Sequence, residues 1–139
     1  NQNNMNEAHI CRAAMESAIF SLRLGLDTFK ERGYQVKEIR LIGGGAKSKV
    51  WRKMCADIFN VKIVLPTVTE GAAFGGALQA LWALSKTKNQ TKTIQEIVKE
   101  HVLLDETHIY HPDKERVSLY ETAYRKYVDY VEKVEPMFS

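Results

Sequence analysis

The sequence predicts a helix-rich α/β fold with a truncated sheet. Three observations carry this: long stretches with apolar residues stepping by three and four, only two short β-branched runs, and a glycine run joining the first of these to a helical stretch. The 139 residues suit one domain or a piece of one, and 45% hydrophobic residues suffice for a packed core.

From about Asn6 to Arg32 the chain reads as a long helix. Met15, Ile19, Leu22, Leu26 and Phe29 form one apolar stripe, and Ala13, Ser17, Phe20 and Leu24 a smaller one, so packing on two sides is expected. Gly33 is placed to stop it. Glu38 to Ile42 reads as a short buried strand, broken by Gly43-Gly44-Gly45-Ala46. A helix from Lys47 or Ser48 to Phe59 follows, with Val50, Trp51, Met54, Ile58 and Phe59 on its apolar face. Val61 to Leu65 is a second strand, stopped by Pro66. Thr67-Val68-Thr69-Glu70 has capping-box spacing and opens a helix from Gly71 to about Leu84. Gly71, Gly75 and Gly76 are costly within a helix, which predicts close backbone approach there. Ser85 to Thr93 reads as a surface loop, and Thr93-Ile94-Gln95-Glu96 as a second capping box. Its short helix runs to His101, with Ile94, Ile97, Val98 and His101 inward. An irregular stretch then leads past Pro112 into a last helix with Val117, Tyr120, Tyr124, Tyr127, Val131 and Val134 in step, ended by Pro136. The tyrosines predict a docking face with hydroxyls at its rim.

Two strands alone make a poor sheet, so the chain reads as a fragment of a larger sheet or a member of an assembly that completes one. An unpaired edge and apolar faces then favour a homo-oligomer. Net charge is +3 with the charges interspersed, which argues against a nucleic-acid partner. No apolar run approaches the ~20 residues of a bilayer span, so no membrane association is expected. Asn-Gln-Asn-Asn-Met is no signal peptide, and the helix-bound beginning reads as that of a piece of a longer protein. Cys11 and Cys55 each fall in an apolar helical pattern and read as buried free thiols of a reducing, cytoplasmic compartment. His101, His108 and His111 lack a supporting Cys/His pair and read as surface histidines, with no metal site.

The informative unit is strand, glycine turn, helix, strand, over Ile39 to Leu65. A glycine turn entering a helix presents free backbone N–H groups, and with the helix dipole these suit an anion. Lys47 and Lys49 add charge at the mouth. Two better-known motifs fail. Ala46, not glycine, precedes Lys47-Ser48, so this is no P-loop. Gly43-x-Gly45-x-x-Ser48 lacks the third glycine of a dinucleotide fingerprint, and the second strand ends Leu65-Pro66-Thr67 with no carboxylate for a ribose diol.

Gly43-Gly44-Gly45-Ala46-Lys47-Ser48, Trp51-Arg52-Lys53-Met54, Ala56-Asp57-Ile58-Phe59 and Glu70-Gly71-Ala72-Ala73-Phe74-Gly75-Gly76-Ala77 together resemble the C-terminal domain of FGGY carbohydrate kinases. The segment Arg12 to Phe20 resembles the helix preceding that motif, and the aromatic last helix is similar to that of xylulokinases. The resemblance implies an actin-like, Hsp70-like (ribonuclease H-like) ATPase architecture, with residues 1–139 as the C-terminal portion of the nucleotide-binding domain and the N-terminal sugar and catalytic domain outside the chain. It implies ATP or ADP with Mg²⁺ as cofactor and a sugar reached through the other domain. It further implies that Gly44, Gly45 and Ala46 line ribose and phosphates, with Ser48 and Lys49 near the adenine. No residue matches the family's catalytic base, and Asp27 and Asp57 read as surface or capping carboxylates. The function implied is phosphorylation of a sugar hydroxyl, D-xylulose first, with gluconate, ribulose and glycerol as alternatives and a fragment inactive alone. The competing reading is a non-catalytic helical interaction module using the tyrosine stripe.

Overall fold

The computed structural model describes residues 6–88 and 92–138. In order they form α1 (Glu7–Glu31), β1 (Glu38–Arg40), a 3₁₀ turn (Gly44–Lys47), α2 (Lys49–Phe59), β2 (Lys62–Val64), α3 (Gly71–Thr87), α4 (Ile94–His101), α5 (Lys114–Val134) and a closing 3₁₀ turn (Glu135–Met137). β1 and β2 are parallel, with Ile39 opposite Ile63, so α2 is the crossover that parallel strands require.

α1 starts where the Asn6 side chain accepts the His9 N–H. It stops in a Schellman turn: the Tyr34 N–H donates to Phe29 O and the Gly33 N–H to Lys30 O, with Gly33 at φ 86°. Of the first predicted stripe, Ile19 is buried but Leu22 and Phe29 are exposed. Ile19 and Phe20 face a core built with Met54, Ile58, Phe59, Val61 and Ile63 of the α2–β2 segment and Tyr120 and Tyr124 of α5. The tyrosine stripe is therefore consumed inside the fold. Phe20 lies 5.5–6.3 Å from the rings of Tyr120, Tyr124 and Tyr127. The hydroxyls sit at the rim as expected: Tyr120 accepts from Arg12 and Tyr124 donates to Asp27.

Both strands are shorter than the apolar runs suggested, and Ile42 is exposed rather than part of a buried strand. The sheet gains a third line instead. Residues 102–111, expected to be irregular, run antiparallel beside β2 through bridges Ile63 to Tyr110 and Pro66 to Leu104. This explains why Thr67 forms no capping box: its N–H and hydroxyl both donate to Leu103 O. At Thr93 the capping box with Glu96 forms in full. α3 continues to Thr87, past the expected end; residues 89–91 of the expected loop lie outside the described ones. α4 buries Ile97 but leaves Val98 and His101 exposed. Cys55 is buried, whereas Cys11 is exposed on α1, on the face turned from the core.

Candidate functional site

β1 ends with the Leu41 N–H donating to Val64 O, and the chain then turns sharply. Gly43 has φ 81° and ψ −170°, a conformation essentially closed to residues with a Cβ. The next four residues wind as a 3₁₀ turn, with N–H groups of Ala46 and Ser48 donating to the carbonyls of Gly43 and Gly45. Ser48 caps α2, its Oγ accepting the Trp51 N–H at 3.3 Å. The Trp51 indole folds back on the turn: a Cβ on Gly45 would lie 3.1 Å from Nε1. Ala46 is buried under this turn.

The start of α3 faces the turn. Its N-cap Glu70 makes no capping bond, because its carboxylate instead accepts the Thr69 hydroxyl at 3.0 Å through both oxygens. Of the three glycines of α3, only Gly71 meets a neighbour among the described residues, since a Cβ there would lie 2.7 Å from Ile42 Cδ1. Gly75 and Gly76 have open space, so the expected close approach is not made at those two positions among the described residues. Between turn and helix lies an open cleft of about 520 Å³. Ile42, Gly43, Gly44 and Lys47 form one wall, and Thr69, Glu70 and the first three residues of α3 the other.

Gly44 lines this cleft. Gly45 lies behind it under Trp51, and Ala46 supports the turn from inside. The Ser48 hydroxyl is spent on capping, and Lys49 is exposed on the first turn of α2, outside the cleft lining. Of the two lysines expected at the mouth, Lys47 lines the cleft, because in a 3₁₀ turn residues three apart align and Gly44 and Lys47 share a face. Gly43, Thr69 and Glu70 were the residues not singled out for the site. A glycine run and the Thr-x-x-Glu block were their only signals.

Three carboxylates outside the cleft, Asp57, Asp27 and Asp105, have structural work. Asp57 is 4% exposed, not a surface group: Oδ1 accepts the Asp113 N–H at 2.9 Å and Oδ2 lies 3.9 Å from Arg116. It ties the last turn of the crossover helix to the N-cap of α5. Asp27 pairs with Arg23 and Lys30 as well as Tyr124. Hydrogen bonds from Thr107 and His108 hold the Asp105 carboxyl down to about 2. Among the described residues no three His, Cys, Asp or Glu side chains gather as a metal site would need.

The chain belongs to the FGGY family of carbohydrate kinases: the model of that family's C-terminal domain matches residues 1–84. A xylulose kinase of Haemophilus influenzae is 40% identical over 131 residues, covering 94% of this chain and 26% of that protein. Among solved structures, a ligand-bound xylulose kinase from Lactobacillus acidophilus superposes with a TM-score of 0.80 at 23% identity, covering 96% of this chain and 26% of that one. A gluconate kinase from the same organism gives 0.79, at the same identity and coverage. The chain thus spans about a quarter of the length of the relatives it matches. The expected fold, an actin-like α/β architecture, helix-rich with a small sheet, is the one observed.

Proposed function

We propose that this chain is the C-terminal, nucleotide-holding part of an ATP-dependent sugar kinase that moves the γ-phosphate of ATP to a sugar hydroxyl, with D-xylulose giving D-xylulose 5-phosphate. Residues 1–139 would belong to one nucleotide-binding domain, and the sugar site and catalytic base to a partner domain across a closing cleft. The observation that carries the reading is the cleft itself, with a glycine turn and a glycine-opened helix facing each other across a space suited to a small molecule. Gly44 would meet the nucleotide through its backbone, Gly45 and Ala46 would hold the turn's shape, and Ser48 and Lys49 would stand at the outer end. Mg²⁺ suits this reading as a companion of the nucleotide's phosphates, since Mg²⁺ commonly needs only one or two carboxylates beside phosphate oxygens and water. Among the described residues Glu70 is the one carboxylate in the cleft lining. The similarity to xylulose kinases supports the choice of sugar, and the two free thiols fit a reducing cytoplasm. Consumption of the tyrosine stripe inside the core leaves the interaction-module reading without its docking face.

Calorimetric titration with MgADP tests the reading, on the chain and on the full-length protein, with Gly45→Val beside each. Saturable binding that the variant loses is expected, because the added side chain would push into Trp51. Wild-type full-length protein that fails to bind MgADP would sink it.

A further inference from the structure

The walls of the cleft carry opposite charges that do not neutralise each other. Among the described residues the Lys47 ammonium has no ion pair or hydrogen-bond partner. Among the described residues the Glu70 carboxylate is engaged only by the neighbouring Thr69 hydroxyl. Most of the remaining lining is glycine, alanine or isoleucine, with no polar side-chain group. Side-chain recognition in the cleft therefore falls to a cation on one wall and a hydroxyl-oriented carboxylate on the other.

We propose that Lys47 and Glu70 divide a bound nucleoside diphosphate between them: Lys47 takes the phosphates, and Glu70 accepts the hydroxyls of the ribose. This rests on the nucleotide reading above and sets the ligand's direction in the cleft. An ammonium donates strongly to phosphate oxygens. A carboxylate repels phosphate and accepts from hydroxyls, so the reverse orientation would set like charges together. Thr69, donating to both carboxylate oxygens, holds Glu70 in place for this. Glu70 makes no capping bond, so its removal leaves α3 with the hydrogen bonds it now has.

The test compares affinities of the full-length protein for MgADP, the magnesium complex of 2′,3′-dideoxyADP, and adenosine. Wild type is expected to prefer ADP over both. Lys47→Met should weaken ADP by about tenfold or more while leaving adenosine unchanged. Glu70→Ala should erase the preference for ADP over its dideoxy analogue and keep the preference over adenosine. If the wild type binds MgADP and both variants keep both ratios, the assignment is overturned while the nucleotide reading stands. If the wild type does not bind MgADP, both fall. Should Glu70→Ala fail to fold, the wild type alone decides that half: equal affinity for ADP and dideoxyADP overturns it.

Discussion

Tyr124 shows how a single polar group is managed in this core. Its hydroxyl donates to Asp27 Oδ2 at 2.8 Å, and the Arg23 guanidinium lies 4.0 Å from its ring centroid. Burial first, and then the bond to Asp27, push its pKa above the ordinary phenol value. The neutral form is thus favoured in the folded state. Its contribution is fully present below the unfolded value near about 10 and is lost as pH rises through the folded value. Tyr124→Phe is expected to cost about 1 kcal/mol near neutrality, from the lost hydrogen bond. That gap should shrink as the pH is raised above about 10, where only the wild type must keep a phenol protonated. Melting temperatures of the two proteins from neutral to alkaline pH check this. The sequence showed that the tyrosines share a face; it did not show that Arg23 would be 9% exposed among them, donating to Ile58 O and Glu121. A charged residue on a helix is ordinarily solvated, and only the facing helix makes its burial sustainable.

At the scale of elements, the glycines separate into two kinds that look alike in sequence. Gly43 is fixed by its backbone angles, so Gly43→Ala should destabilise by about 1–3 kcal/mol. Gly76 is exposed in mid-helix with nothing within 4 Å of an added Cβ, so Gly76→Ala should stabilise the chain by about 0.5–1 kcal/mol. Urea midpoints moving in opposite directions would bear this out; a loss at both positions would count against it. The helices were legible because their periodicity and most of their caps are local: Gly33, Asn60 and the Thr93–Glu96 box act within a turn of the helix they bound. The Thr67 box was misread because its donors are claimed by Leu103, thirty-six residues away. In the cleft, the turn was legible as a glycine run with Lys47 and Lys49 at its mouth, but which of the two lines the cleft was not. Whether residue 47 or 49 faces inward depends on the turn winding as 3₁₀.

For the whole molecule, the sheet is the unfinished part. β2 is paired with β1 and bridged to residues 102–111, while β1 has no second neighbour among the described residues. Apolar side chains remain outside, including Ile42 at 54%, Leu84 at 50% and Leu119 at 72% exposure. An open edge beside apolar surface favours association. The purified chain is therefore expected to sediment faster as its concentration rises, and a constant monomer value across the range would refute this. By itself the sequence determined the helices, the order strand–glycine turn–helix–strand and the family, because these follow from local periodicity, caps and a run of residues too specific in order to be accidental. Only the tertiary structure decided that Gly43, Lys47, Thr69 and Glu70 share one cleft, that Asp57 is a buried tie, and that the tyrosines serve the core. Each of these depends on which distant segment comes to lie against them, and no local signal carries that.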